Sequence, residues 1–255
     1  YPDGSPLIKK VTVTGEVGPY LAPGSDRLVT LESVGSVPVK TTTYDYSFGS
    51  DVAGNRVTYN GVDLVIHGWS PSSILAEVPV GLEGPGQLLV VRGDNGTESP
   101  VGITLHVAGL SYGPPVKRVG SGRPYATIQA AIDDATTSYD LVLIDPGIRA
   151  ENPIVWRPVK LQGAGMGSTV ITGLGIETPE TRQAWIDRLN ALAVDPTYFI
   201  PGQTPAPFTI IGDFFRGVTI LVLSRPGDHP GGMDRAMVDG LSVTGSVHGS
   251  GIWVN

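Results

Sequence analysis

The first part of the chain consists of short runs in which apolar and polar residues alternate, separated by turn-forming residues. Alternation with a period of two is typical of strands that bury one face, because successive side chains point to opposite sides of a strand. The strands predicted in this way are residues 8–14, 27–31, 56–59, 63–67, 74–78, 87–92 and 102–107. Their spacing of roughly ten residues predicts a β-sandwich.

Helical periodicity follows in one segment near residue 130. Ile128, Ala131, Ile132 and Ala135 are spaced i, i+3, i+4 and i+7, which places them on one face of a helix. Thr127 precedes them as a candidate N-cap. The pattern predicts one short amphipathic helix.

Short strands bounded by glycine or proline follow that helix. They are predicted at residues 140–145, 153–156, 159–163 and 168–172, and again within 236–245 and 249–254. Residues 174–235 between them are predicted to be a long insertion, which opens with a helix from Thr178 through Leu192. Glycine and proline make up 35 and 22 of the 255 residues, which favours many short strands over long helices. The sequence therefore predicts an all-β protein.

The second half of the sandwich segment carries a recognisable order of features. A predicted strand ends in Val78-Pro79, and a glycine-rich turn, the aliphatic strand 86–91 and the hairpin 93–96 follow. This order resembles the IPT/TIG family of immunoglobulin-like domains. The resemblance implies such a domain at residues 1–108, acting as a binding or spacer module, with an enlarged loop within residues 15–60. Residues 109–122, rich in glycine and proline, are predicted to be a linker.

A second resemblance covers residues 123–173 and returns at 236–245 and 249–254. There the short helix is followed by strands that run into Pro146-Gly147 and Gly163-Ala164-Gly165 turns. This order resembles the first turns of pectate-lyase-like right-handed parallel β-helices. It implies that residues 123–255 begin such a β-helix, whose apolar core the short helix caps. Insertions on such a scaffold build the walls of surface grooves, so the insertion is where we expect a site.

The predicted last strand would leave the final coil uncovered at Asn255. Ile252 and Val254 would expose an apolar core and an unpaired strand edge, which favours aggregation. We therefore expect that the chain is a truncated piece of a longer parent polypeptide, or that another chain caps the open end.

Charge and composition narrow the choice of partners and compartments. The formal net charge is −7, so the basic surface that nucleic acids require is missing. An acidic polysaccharide would be repelled unless a cation such as Ca²⁺ bridged it to the protein. No apolar run approaches the roughly 20 residues needed to cross a membrane. The absence of cysteine favours a secreted or cell-surface protein of bacteria, where disulfides are commonly dispensed with.

Candidate catalytic and metal-binding residues are few. Neither the carboxylate cluster with a basic residue that lyases use nor the paired aspartates of hydrolases can be identified, so no catalytic residue is predicted. Asp228, His229 and Asp234 combine two carboxylates and an imidazole on a glycine-rich loop. They are either a metal site, with Ca²⁺ as the candidate ion, or a solvated loop tip. No motif for an organic cofactor is present.

One aromatic series and one turn have two interpretations each. Tyr44, Tyr46 and Phe48 alternate, so they would project from one face of a strand and either pack into a core or stack on sugars. Core packing is the favoured interpretation. Asn95-Gly96 fits the centre of a β-hairpin, which we prefer to its alternative as a glycosylation sequon.

The histidines provide no catalytic centre. His67 and His106 lie alone in predicted strands and are interpreted as structural residues. Val247-His248-Gly249 is similar to a Gly-His-Gly element of glycoside hydrolases, but the aspartates that accompany that element are missing, so His248 is interpreted as a surface residue.

Two functions are the main alternatives at this point, beside a third in which the chain is only a scaffolding module of a larger redox or transport assembly. The first is a non-catalytic scaffold of the bacterial surface or exterior that binds carbohydrate or a partner protein. The alternative is part of a carbohydrate-active enzyme, a polysaccharide lyase or a glycoside hydrolase, with its catalytic coils beyond Asn255 or beside the insertion.

Overall fold

The computed structural model describes residues 1–136, 140–176, 178–193, 218–223, 236–246 and 251–254. Strands dominate these residues, and only two α-helices and one short 3₁₀ helix occur among them. The protein is therefore all-β, as the sequence predicts. The chain divides into two compact units, one of Tyr1–Pro114 with Gln162–Thr169 and one of Pro115–Leu161 with Val170–Asn255.

The first unit is built from short strands joined by turns. In chain order they are β1 (Ile8–Val13), β2 (Glu16–Val17), β3 (Tyr20–Leu21), β4 (Leu28–Ser33), β5 (Gly35–Val39), β6 (Thr42–Tyr46), β7 (Arg56–Tyr59), β8 (Val62–Asp63), β9 (Val65–Trp69), β10 (Ser73–Glu77), β11 (Gly84–Val91) and β12 (Ile103–Val107). Two five-stranded sheets result, in the orders β2-β1-β4-β10-β9 and β3-β12-β11-β7-β8. Their pairings are antiparallel except for β3 with β12, which is parallel. Strands β5 and β6 form a separate hairpin.

Both sheets of the first unit contribute to one hydrophobic core. Alternate residues of the strands point inward, as Val29 and Leu31 do in β4 and Leu88 and Val90 do in β11. These four side chains are fully buried and belong to the same cluster. The period of two along each strand is thus what allows the two sheets to share a core and form a β-sandwich.

The chain after Pro114, most of which belongs to the second unit, consists of shorter strands and two helices. In chain order these elements are β13 (Val116–Val119), α1 (Ile128–Asp133), β14 (Leu141–Ile144), β15 (Gly147–Ala150), β16 (Ile154–Val155), β17 (Lys160–Gly163), β18 (Thr169–Thr172), the 3₁₀ helix Gly173–Ile176, α2 (Pro179–Ala193), β19 (Ile220–Val222), β20 (Met237–Asp239), β21 (Ser242–Thr244) and β22 (Ile252–Val254).

The chain passes repeatedly through three sheets in the same order. The sheets are β13-β14-β17-β20, β15-β18-β21 and β16-β19-β22, so each pass after β13 adds one strand to each sheet. Strands from successive passes pair in parallel where β13 meets β14, β18 meets β21, and β19 meets both β16 and β22. Residues far apart in sequence are thereby stacked in register.

Helix α1 covers part of the apolar interior of these sheets. Thr127 is its N-cap, with extended backbone dihedrals and a side-chain oxygen that accepts the Ala130 N–H at 3.2 Å. Its buried face, Ile128, Ala131 and Ile132, packs in one cluster with strand residues of all three sheets. The predicted amphipathic helix and its N-cap are therefore confirmed.

Helix α2 packs on a different face of the third sheet. Its Trp185 and Leu189 cluster with Ile154 and Leu221, whereas the neighbouring strand residue Val155 belongs to the cluster that contains α1. The Trp185 indole N–H donates to a main-chain carbonyl oxygen at 2.8 Å, which satisfies its one buried donor. The third sheet is thus covered on both faces, since its strands alternate between the two clusters.

The structure differs from the sequence prediction in two places. The predicted linker, residues 109–122, contains β13, which pairs with β14. The predicted insertion, residues 174–235, contains β19, which pairs with β16 and β22. Both strands are too short to show a clear period, so only their pairing reveals them. Strand β22 has exposed apolar side chains, and the expectation that something covers this region stays a prediction.

Candidate functional site

The hairpin of β5 and β6 carries a partly exposed surface that contains two tyrosines. Val37 pairs with Tyr44, and Gly35 pairs with Tyr46. Residues paired across two strands lie on the same face, so these side chains share one side of the hairpin. Pro38 lies within β5, where its missing N–H costs nothing because the outer edge of that strand is unpaired in its two-stranded sheet.

Tyr44 and Tyr46 present two parallel aromatic rings on that face. Their ring planes differ by 5°, and the ring centroids are 6.2 Å apart. Both residues are partly exposed, and the Tyr46 hydroxyl donates to the Tyr1 carbonyl oxygen at 3.2 Å. We call Tyr44, Tyr46 and the facing Val37 the tyrosine face.

Phe48 does not join the tyrosine face. It is fully buried in the core of the first unit, and its ring centroid lies 6.2 Å from that of Trp69. The alternating series predicted from the sequence therefore divides, because β6 ends at Tyr46 and the chain turns inward after it. Core packing is correct for Phe48, whereas the two tyrosines remain accessible to a ligand.

Two sets of contacts hold the hairpin in place. The N-terminal segment pairs with β6, since the Leu7 N–H donates to the Tyr46 carbonyl oxygen at 3.2 Å and the Gly4 N–H donates to that of Asp45 at 2.9 Å. Arg92, whose side chain is 8 % exposed, donates to the Asp45 carboxylate at 2.9 Å and to both oxygens of Asp94 at 2.9 and 2.8 Å. The strand that bears the tyrosines is therefore anchored to the turn after β11.

The electrostatics around this anchor are acidic. The hydrogen bond from Arg92 is the main reason why the pKa of the Asp94 carboxyl is lowered. Burial works to raise the pKa of Asp45, but hydrogen bonds from Arg92 and Ser47 outweigh it and the pKa is lowered. Both carboxyls therefore stay ionised at neutral pH, and together they carry one more charge than Arg92 neutralises.

The two predicted structural histidines have ordinary partners. His67 Nε2 lies 2.8 Å from the Glu77 carboxylate on the exposed side of its sheet. His106 is fully buried, and its Nδ1 lies 2.6 Å from the Tyr112 hydroxyl oxygen. Both contacts agree with the structural interpretation.

The predicted metal ligands Asp228, His229 and Asp234 lie outside the described residues, as does His248. Within the part of the chain that the structure does describe, no three His, Asp or Glu side chains group as metal ligands. The Ca²⁺ site therefore stays a prediction.

Glu151 is a partly buried carboxyl group of the second unit. Burial raises its pKa, although the Ile128 N–H, which donates to its Oε2 at 2.8 Å, and the nearby charge of Arg149 act in the opposite direction. Its Oε2 also caps the first turn of α1 by accepting an N–H that has no partner within the helix.

Arg92 is the residue of this site that sequence reasoning missed. It is the last residue of the predicted strand 87–92 and lies directly after β11. Its main-chain N–H donates to the Thr97 carbonyl oxygen across the turn 93–96, which contains Asn95-Gly96 but is centred one residue earlier. Its partner Asp45, however, is 47 positions away in the chain. No local pattern identifies a pairing over such a distance.

Two comparisons of the sequence with known proteins give no match. The chain matches no model of a protein family and no curated protein sequence. Among the described residues, neither helix is long and apolar enough to span a membrane.

Proposed function

We propose that this protein is a non-catalytic binding scaffold, in which the first unit binds uncharged carbohydrate through the tyrosine face. The observation that carries the proposal is the pair of parallel, partly exposed rings of Tyr44 and Tyr46 on an anchored hairpin. Tyrosine offers a rigid apolar ring face and a polar hydroxyl, and it loses little conformational entropy on binding.

The charge of the surroundings selects the class of ligand. Flat ring faces can stack on sugars or on nucleic-acid bases, but a chain with net charge −7 repels the phosphate backbone. The same net negative charge also disfavours an acidic sugar. A neutral saccharide, whose hydroxyl groups can meet the tyrosine hydroxyls, fits both conditions.

The architecture supports a scaffold role. We propose that the first unit is an immunoglobulin-like sandwich, which its two largely antiparallel sheets around one core support. We propose that the second unit is the start of a parallel β-helix, which its repeated passes through three sheets support. Such a stack is a stiff platform, suited to a secreted or cell-surface protein of bacteria.

The test is titration of the full chain with neutral polysaccharides and their oligosaccharides, followed by calorimetry. Replacing either tyrosine by alanine removes one ring face, and each of Tyr44→Ala and Tyr46→Ala should weaken binding about tenfold. Tyr44→Phe keeps the ring and should retain most of the affinity.

The matched control is Val62→Ala, which changes an exposed apolar side chain elsewhere in the first unit. It should bind like the parent chain. Binding that is unaffected by both tyrosine substitutions, or that Val62→Ala weakens equally, would contradict the proposal. Absence of binding to every neutral polysaccharide tested would also contradict it.

A second candidate function, cleavage of a polysaccharide, has one observation in its favour. Burial raises the pKa of the Glu151 carboxyl, as a general acid requires. If Glu151 is such an acid, incubation of the chain with polysaccharides releases reducing ends or unsaturated products, and Glu151→Gln abolishes the release. If the parent chain and Glu151→Gln release equal amounts of product, Glu151 has only its capping role.

A further inference from the structure

In the second unit, the Trp156 indole contacts several polar side chains. The Arg157 guanidinium carbon lies 4.1 Å from the centroid of the Trp156 ring. Stacked in this way, a guanidinium uses its face on the ring and leaves the N–H groups at its edge to meet another partner. Arg157 forms no ion pair with any residue that the structure describes, and its buried Nε–H has no acceptor among them.

A second arginine, Arg188, is linked to the same indole because both contact the Asp133 carboxylate. Asp133 Oδ1 accepts from the Trp156 indole N–H at 2.9 Å and from Gln129 at 3.1 Å, and it forms a close ion pair with Arg188. Gln129 and Asp133 are spaced i, i+4 on α1, so the helix positions both. The Nε–H of Arg188 is likewise buried without an acceptor among the described residues.

The cluster has an excess of positive charge and of hydrogen-bond donors. Among the described residues, this cluster contains two guanidinium groups, Arg157 on the indole and Arg188 on Asp133, and one carboxylate, which gives it a net charge of +1 in a chain whose formal charge is −7. Arg188 is 33 % exposed, so the cluster is open to a ligand. Buried donors without acceptors are unfavourable, and a planar, doubly hydrogen-bonding oxyanion is the group that best matches the edge of a guanidinium.

We propose that Arg157 and Arg188, positioned by Trp156 and Asp133, bind an oxyanion such as a carboxylate or a sulfate. The ligand group accepts hydrogen bonds from the guanidinium edges, while the indole holds the Arg157 plane in a fixed orientation. This site lies in the second unit and does not depend on the tyrosine face, so either proposal can fail without the other.

The experiment follows the indole and arginine Nε–H resonances of the full chain by nuclear magnetic resonance during titration. The probes are sodium sulfate and sodium glucuronate, with sodium chloride at matched ionic strength and glucose as the charge-free control. We expect saturable shifts of the Trp156 indole and the Arg157 Nε–H with one or both oxyanions. A response to sulfate alone assigns a sulfate ester as the natural group, and a response to glucuronate alone assigns a carboxylate.

Substitutions separate this site from general attraction of anions. Loss of one charge-assisted hydrogen bond should weaken binding about tenfold or more in Arg157→Gln and in Arg188→Gln. Arg157→Lys keeps the charge but not the planar fork, so it should bind with intermediate affinity. The matched control Arg56→Gln removes an exposed arginine of the first unit and should change nothing.

Three results would overturn the proposal. These are shifts that chloride reproduces, shifts that never saturate, and saturable binding that survives in both Arg157→Gln and Arg188→Gln. Spectra of each variant that remain well dispersed show that the fold is intact, so a loss of binding cannot be attributed to unfolding.

Discussion

Replacing Arg92 by methionine tests whether one buried guanidinium anchors the hairpin that carries the tyrosine face. Methionine preserves much of the apolar stem and removes every hydrogen bond of the guanidinium group, while the main-chain hydrogen bonds of residue 92 remain possible. The side chain is 8 % exposed and donates to Asp94 and Asp45, with longer contacts to the carbonyl oxygens of Gly4 at 3.3 Å and Ser47 at 3.4 Å. All of these acceptors lose a partner at once.

The magnitude follows from the burial of the partners. Removing one member of a fully buried ion pair costs about 3–5 kcal/mol, because the other charge is left unpaired. Asp94 and Asp45 are 30 % and 44 % exposed, so water compensates part of that loss. After this discount we expect the free energy of unfolding of the first unit to fall by about 2–3 kcal/mol.

The assay is hydrogen exchange of the full chain, measured by mass spectrometry on peptides from residues 1–7, 42–48 and 90–99. Exchange resolves the first unit even if the two units unfold separately, a case in which one global unfolding energy is poorly defined. Arg92→Met should accelerate exchange in all three peptides. Arg56→Met, which breaks a surface pair of 3.8 Å, should change stability by less than about 0.5 kcal/mol.

The pH dependence adds an independent readout. Because the pKa values of Asp94 and Asp45 are lowered in the fold, the stability they contribute is present above the pKa of an unfolded aspartate, about 4, and is lost as pH falls below it. The difference between the parent chain and Arg92→Met should therefore shrink in acid. A difference that is the same at all pH values, or equal exchange in Arg92→Met and Arg56→Met, would refute the reasoning.

Three further substitutions test local features. Burial raises the pKa of the Glu151 carboxyl, so the stability that this group contributes is present in acid and is lost as pH rises. In chemical denaturation, Glu151→Gln should be more stable than the parent chain at about pH 7 and equally stable at about pH 3. A stability difference that does not depend on pH would contradict this. Gly86→Ala would place a methyl carbon 2.2 Å from the Tyr59 ring and should lower the free energy of unfolding by about 1–3 kcal/mol. The control is Gly68→Ala, whose methyl carbon would lie 4.0 Å from the nearest atom and should not lower it. Thr127→Ala should lower the stability of the second unit by about 1 kcal/mol in calorimetry and Thr127→Ser should not; equal melting of both would mean that the N-cap contributes little.

Much of the fold could be predicted because its signals are local. The strand 56–59 was predicted with the bounds it has, and the helix near residue 130 begins after the predicted N-cap. Both depend on a repeat of apolar positions within a few residues, which the sequence displays directly. The two-residue strands β2 and β3 have no such repeat and were not predicted.

The candidate site could be predicted only in part. Alternation identified Tyr44, Tyr46 and Phe48 as one series, but not the end of β6 that separates Phe48 from the others. The indole cluster is more extreme, because Asp133 and Arg188 are 55 positions apart and only the packing of α2 brings them together. Residue type indicated what each group can do, and not which groups meet.

The sequence by itself determined that this protein is all-β, and it determined where helix α1 begins, because strand and helix propensities, turns and caps are properties of neighbouring residues. Only the tertiary structure decided which strands pair, that Val116–Val119 and Ile220–Val222 join sheets, and that Arg92 meets Asp45. Pairing of distant segments depends on the closure of long loops and on the burial of shared surface, and neither is written in the spacing of residues along the chain.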